Sequence, residues 1–510
     1  MKKELLLLAG LLTGTGIATG RQKLPNIVFI LADDMGYGDI SYLGGSTSKI
    51  KTAHLDRMAS EGAVFTDAHS SSSVSTPTRY GILTGRYNWR SELKRGVLDG
   101  YSKALIAPDR QTMASMLKKE GYTTAGIGKW HLGWNWNNIE KGIKNIDYSQ
   151  PVANGPTTRG FDYYYGFCGS LDMAPYVYIE NDRPTSLPNR TTVNTDRYSW
   201  WRKGPTAADF EHEQVLPNLI DRACQYIGEK AKADQPYFLY LPLPAPHTPI
   251  LPTAEYRGKT GMGPYADFVF MVDDMVGKVL AAIDRTGEGD NTIVVFTTDN
   301  GCSPQADIPA LKKLGHSPNS IFRGHKADLF DGGHRIPCLL RWPRRVKPHH
   351  VDQTICLTDF YATFADIAGH RMADTEGEDS YSLLPVLKST RKKRPIREAT
   401  VHHSINGQFT IRQGKWKLLL SASSGGWSQP HPNNSKALTG LPPIQLYDME
   451  VDPSETRNVQ AEHPEVVGRL RELLMKYIRN GRSTPGEPQQ NDGPEVWPQL
   501  KQIGYTEQAE

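Results

Sequence analysis

Apolar residues in this chain cluster in short unbroken blocks more than they alternate with polar ones. Asn26-Ile27-Val28-Phe29-Ile30-Leu31-Ala32 is almost continuous and β-rich, and residues 236–241 and 292–297 repeat the type. Blocks of this kind predict strands buried on both faces, as in a sheet covered by helices. Helical spacing predicts helices over 55–63, 112–120, 216–232, 265–284 and 359–368, and Gly121 supplies a C-terminal stop for the second. A further strand is expected at 122–127. The alternation of the two element types predicts an α/β fold with a large, mostly parallel central sheet flanked by helices. From Trp134 to Val215 the periodicity dissolves into a stretch rich in Asn, Tyr, Trp, Gly and Pro, read as a substrate-facing insertion. After Pro395 a hairpin is expected around Gly414, followed by a strand at 445–448 and a helix at 464–478. The expected organisation is a signal peptide at 1–20, a main α/β domain at 21–395, a small α+β subdomain with an antiparallel sheet at 396–480, and a surface tail at 481–510.

Composition narrows this picture only a little. A chain of 510 residues is long enough for one large domain and a second smaller one. Its net charge of +4 is small for that length and does not point to nucleic acid. The five cysteines are widely spaced and lack a CxxC pair, so neither a disulfide framework nor a zinc site is expected. Lys2 and Lys3 ahead of the apolar run 5–12, with small residues at 16–20, have the layout of a secretory signal peptide. No cysteine follows that run, so no lipid anchor is indicated, and export to the periplasm is expected.

The candidate chemistry sits where the pattern breaks. A serine-rich loop, 70–75, runs into a short helix with Pro77 in its first turn. Ser75 at a helix N-terminus, with Arg79 one turn on, describes an anion pocket around a hydroxyl. Asp33-Asp34 and Asp299-Asn300 each follow an apolar strand. In open α/β sheets, ligand sites lie beyond the carboxyl ends of the strands, which puts both pairs on one rim. Three carboxylates and an amide make an all-oxygen site suited to calcium or magnesium. His247 lies in Pro244-Ala245-Pro246-His247-Thr248-Pro249, where prolines fix the backbone around the imidazole.

Ser75-x-Pro77-Thr78-Arg79 followed by Leu83-Thr84-Gly85, with Gly121-Tyr122-Thr123-Thr124-Ala125-Gly126-Ile127-Gly128-Lys129-Trp130-His131 downstream, resembles the two signatures of type I, formylglycine-dependent sulfatases of the alkaline phosphatase superfamily. The resemblance implies that Ser75 is oxidised to formylglycine (3-oxoalanine) by a maturation enzyme. It also implies that Asp33, Asp34, Asp299, Asn300 and the modified Ser75 hold calcium. Lys129, Lys326 and Arg79 would neutralise the sulfate oxygens while one hydroxyl of the hydrated aldehyde attacks sulfur. His247 is the candidate acid for the leaving oxygen, and His131 takes the proton that releases sulfate. Many members carry Cys at this position. Ser is matured by an oxygen-independent radical enzyme, which fits an anaerobic bacterium; the alternative is a Cys replaced by Ser to trap substrate.

The polar, aromatic-rich insertion favours a sulfated carbohydrate, which needs hydrogen bonds and a stacking surface. The segments around Asp172 and His212 resemble bacterial sulfatases acting on galactose or N-acetylgalactosamine. Asp172, His212, His334 and Arg335 are the candidate specificity residues, with 6-O-sulfate ahead of 4-O-sulfate. The rival readings are a phosphodiesterase or phosphonate hydrolase of the same superfamily and a non-catalytic glycan-binding protein.

Overall fold

The computed structural model describes residues 23–389, 394–493 and 500; the expected signal peptide lies outside them. Ten strands form one sheet, in the order 349–351, 63–65, 338–341, 292–298, 26–32, 237–242, 123–129, 163–167, 179–180, 183–184. The five strands Thr292–Thr298, Asn26–Ala32, Tyr237–Pro242, Thr123–Lys129 and Tyr163–Phe167 are mutually parallel, and antiparallel pairs begin on either side of them. Every residue of Asn26–Ala32 and Thr292–Thr298 is buried, as the unbroken apolar blocks require.

Helices pack on this sheet in two groups. Pro264–Arg285 contacts both Ala53–Glu61 and Val215–Lys230, and Ser75–Thr84, Met113–Lys119 and Asp359–Ala368 contact one another. Phe29 shows why the centre holds. Its ring meets Phe360 edge-on at 5.3 Å and Tyr240 at 6.2 Å, with no exposed surface. Burying such a ring stabilises the fold by roughly 1.5–3 kcal/mol.

The stretch without periodicity contains the central-sheet strand Tyr163–Phe167 and the hairpin Pro188–Asn194/Trp201–Ala207. The hairpin carries register irregularities and buries only three of its fourteen strand positions, so its pattern reads as loop. Near the C-terminus, Thr400–His403, Phe409–Gln413, Trp416–Leu419 and Gln445–Asp448 form an antiparallel sheet, with helix Pro464–Arg479 packed on it. All five cysteines are free, and no described helix is long and apolar enough to cross a membrane.

Candidate active site

The carboxyl ends of the five parallel strands converge, and each delivers polar residues to one cluster. Asp33 and Asp34 follow Asn26–Ala32, Asp299 and Asn300 follow Thr292–Thr298, and His247 follows Tyr237–Pro242. Lys129 and His131 close Thr123–Lys129, and Ser170 and Asp172 follow Tyr163–Phe167. Ser75 opens the fully buried helix Ser75–Thr84, which ends at Gly85 in the left-handed region at φ 63°. Gly128 shows what the second motif's glycines do. Its φ is 136°, and a Cβ there would lie 2.0 Å from the Pro242 carbonyl oxygen, so only glycine lets the strands approach this closely ahead of Lys129.

Ser75 Oγ lies 3.4 Å from Asp33 Oδ1 and 3.5 Å from Lys129 Nζ. Lys129 Nζ also donates to Asp33 Oδ2 at 2.6 Å and to Ser170 Oγ at 3.2 Å. Arg79 pairs with Asp299 at 2.9 Å and approaches Asp33 at 3.6 Å. Lys326 Nζ donates to Asp34 Oδ2 at 2.8 Å, and Asn300 Nδ2 donates to Asp34 Oδ1 at 2.7 Å. Three carboxylates (Asp33, Asp34, Asp299) thus face three cations (Arg79, Lys129, Lys326), all buried. Unpaired, each such ion would cost several kcal/mol to bury.

Burial works to raise the Asp33 carboxyl, but Lys129, His247 and Arg79 together hold it below its ordinary value. Burial pulls the Lys129 ammonium down against the pull of Asp33. For Lys326 the burial penalty is outweighed by Asp34, Asp33 and Asp299, which push it up. Burial, reinforced by Lys129 and Arg79, drives the His131 ring well below its ordinary value and keeps it neutral. Its Nε2 donates to the Leu98 carbonyl at 2.7 Å, leaving the buried Nδ1 as a bare acceptor with no partner. His131 holds φ 54° and Asp34 φ 65°, left-handed conformations that are uncommon away from glycine and here both fall at the site.

The donor set fits a hard divalent cation. Asp33, Asp34 and His247 bring ligand atoms within 4.8 Å of one another, and the buried Asn300 Oδ1 beside them has no hydrogen-bond partner. An orphaned amide oxygen among carboxylates is what an oxygen-seeking ion would satisfy.

A cavity of about 260 Å³ opens over this cluster, reaching Ser75, His131, Ser170, Asp172, His247 and Lys326. Asp172 Oδ2 pairs with Arg202, while its buried Oδ1 is unpartnered and lies 4.0 Å from His247 Nδ1. Burial raises the Asp172 carboxyl, but His247 and Arg202 overcome that and hold it down, so it stays an acceptor.

Three expected specificity residues lie outside the cavity lining. His212 is stacked on Trp201 at 3.8 Å and packed against Tyr176 at 4.4 Å. His334 is buried in a histidine cluster, with its Nδ1 2.9 Å from His69 Nδ1. Arg335 donates to the Thr66 carbonyl at 2.8 Å and borders a separate cleft of about 1160 Å³ that contains none of the cluster. Those partners occupy polar atoms of His334 and Arg335, whereas His212 is held by ring contacts and its buried Nε2 has no hydrogen-bond partner.

Sequence reasoning missed Ser170, Trp200, Arg202, Gln305 and Trp427 in the cavity wall. Ser170 lies two residues from Asp172, and the short aromatic run Tyr163-Tyr164-Tyr165-Gly166-Phe167 ahead of it is the signal that could have found it. No local signal marks Trp427.

The sulfatase family model matches residues 25–370. An N-acetylgalactosamine-6-O-sulfatase of Bacteroides thetaiotaomicron is 32% identical over 92% of this chain and 99% of the relative. Human arylsulfatase A is 30% identical over 93% of this chain and 91% of its own length. A solved structure from work on glycosaminoglycan metabolism by Bacteroides thetaiotaomicron superposes with a TM-score of 0.78 at 32% identity, covering 89% of this chain and 99% of that one.

Proposed function

The chain belongs to the sulfatase family and is a sulfuric ester hydrolase, and from that premise we propose that it removes O-sulfate from a sugar, with the 6-O-sulfate of N-acetylgalactosamine or galactose as first choice. The observation that carries the reading is Ser75 Oγ, held between Asp33 and Lys129 at the base of a cavity walled by Asp172 and His247. The relative printed as an N-acetylgalactosamine-6-O-sulfatase supports the choice of sugar and position.

Asp33, Asp34, Asp299 and Asn300 would hold calcium beside a formylglycine matured from Ser75. Together these groups would supply a nucleophile that can be released again and a Lewis-acid charge. The chain's own residues do the rest. Lys129, Lys326 and Arg79 are fixed by carboxylates before substrate arrives, so they meet developing charge on the sulfate oxygens without reorganising. His131 offers Nδ1 to take a proton from the side chain at position 75. The Nδ1–H of His247 is engaged by the Thr248 carbonyl, which leaves Nε2 to carry the proton for the leaving sugar oxygen. Asp172 Oδ1 accepts a sugar hydroxyl, and His212 supports that wall through Tyr176, whose hydroxyl donates to the Asp172 carbonyl at 3.0 Å.

A cavity this small favours a chain-end sugar over an internal one. The N-terminal pattern supports export to the periplasm, and maturation at position 75 calls for a formylglycine-generating enzyme. The test is turnover of 6-O- and 4-O-sulfated N-acetylgalactosamine and galactose beside aryl phosphates, using protein matured in its host. Fastest release of sulfate from the 6-O-sulfated sugars is expected. Preference for the phosphate esters, or no sugar turned over, would overturn the reading.

A further inference from the structure

Trp427 is exposed at 38%, and of the large apolar residues exposed among the described ones it is the only one lining the catalytic cavity. It comes from a loop following the C-terminal sheet strand Trp416–Leu419, and apart from Ile405 it is about 100 residues or more from the rest of the cavity wall. Yet its backbone is clamped. The N–H groups of Trp427 and Ser428 both donate to Asp328 Oδ1, at 2.8 and 3.0 Å, two residues beyond Lys326. The preceding Gly426 sits so close that a Cβ there would lie 2.2 Å from the Ala327 carbonyl oxygen. A second indole, Trp200, reaches the same cavity from the hairpin, with Arg202 5.3 Å from its ring centre.

An indole that keeps over a third of its surface in water while its backbone is pinned is not placed to maximise core burial. Held at a fixed place beside a catalytic cluster, it suits a ligand with a flat apolar face. A galacto-configured pyranose has one: with O4 axial, the C3–H, C4–H and C5–H bonds share a side of the ring. We propose that Trp427 is a sugar-stacking residue, so that the C-terminal sheet region completes the substrate subsite of the sulfatase domain. This rests on the carbohydrate reading above.

A stack on the ring is made equally in ground state and transition state, so it lowers KM without changing kcat. The experiment is steady-state kinetics of matured wild type, Trp427→Ala and Trp427→Phe on 6-O-sulfated N-acetylgalactosamine, with inhibition by inorganic sulfate as control. Trp427→Ala should raise KM about tenfold at near-constant kcat, Trp427→Phe should recover most of that, and sulfate inhibition should be unchanged. Unchanged KM in Trp427→Ala, or a loss confined to kcat, would overturn the stacking role, the latter pointing to the loop as a prop for Lys326. If wild type turns over no sulfated sugar, the carbohydrate reading fails first, and that result is separate from any difference among the variants.

Discussion

Two buried polar clusters lie next to each other in the chain, joined by the serine run 70–73, and both look at first like metal sites. One holds Asp33, Asp34 and His247, with Asn300 hydrogen-bonded to Asp34; the other holds His69, His334 and His402. They differ in what is left over. In the histidine cluster every ring nitrogen has a partner: Asp67, the Ser70 and Leu329 carbonyls, Thr400, or the neighbouring imidazole. The His334 and His402 rings are stacked 4.1 Å apart at 7°, so their in-plane lone pairs run side by side and cannot meet on one ion. In the Ser75 cluster the buried Asn300 Oδ1, His131 Nδ1 and Asp172 Oδ1 have no partner, and a cavity opens beside them. Residue types alone do not separate a structural cluster from a reactive one. Unmet valences facing a cavity do.

The sharpest way to break this contrast is one substitution at Ser75 and one at Lys417, the buried cation beside the histidine cluster whose partner Asp331 lies 3.8 Å from His334. Ser75→Ala removes a hydroxyl whose contacts are 3.4 Å or longer, so the melting temperature should hardly move. Turnover should fall by about 10⁴-fold or more, because the nucleophile is gone. Kinetics and a thermal melt on one preparation check both halves.

Lys417→Met should do the reverse. Lys417 Nζ donates to Asp331 at 2.7 Å and to Glu455 at 2.6 Å, all three side chains fully buried. Removing it leaves the buried Glu455 without a cation and Asp331 with only Arg335 at 3.5 Å, costing about 3–5 kcal/mol in denaturant unfolding. The kcat of the folded fraction should stay within about threefold of wild type, since none of these groups lines the cavity.

A thermal shift with calcium tests the metal distinction itself. Saturating calcium should stabilise the wild type by about 2.7 kcal/mol at a hundred times Kd. Asn300→Ala should reduce that shift, whereas His402→Gln should leave it intact. Equal loss in both variants would sink the contrast.

The last test is on pH, which reads the buried rings of both regions together. Burial pushes His212 and His403 down to about 3, and His131, His334 and His402 lie well below their ordinary value of 6.5 for the same first reason. Below pH 6.5 the unfolded chain binds protons that these folded rings refuse, so stability falls as pH drops, by about 1.4 kcal/mol per pH unit for each ring. Glu455 works the other way: burial and Asp331 push it up to about 7 against Lys417, so it gains stability as pH falls from 7 towards 4.5. One carboxyl does not offset several rings. Calorimetry between pH 7 and 5 should show a falling melting temperature.

Much of this was legible in the sequence, for physical reasons. Strands such as Asn26–Ala32 are buried on both faces and therefore unbroken in composition, and the residues just past them must stand on the rim. That logic reached Asp33, Asp34, Asp299 and Asn300 without knowledge of their contacts. It failed where contact is long-range and local pattern is weak. Tyr163–Phe167 belongs to the central sheet but sits in an aperiodic stretch. Trp427 reaches the cavity from a Ser/Gly/Pro-rich loop. His334 has the composition of a site residue, but its ring is sealed by His69, His402 and Leu329, which no spacing reveals.

The central claim is that Ser75 is the reacting residue of the Ser75 cluster. The most direct test is the mass of the tryptic peptide ending at Arg79, from protein purified out of its native host. The account predicts a species two hydrogens lighter than the serine peptide, its abundance rising in step with sulfatase activity across preparations. An unmodified serine in preparations that still release sulfate would contradict it.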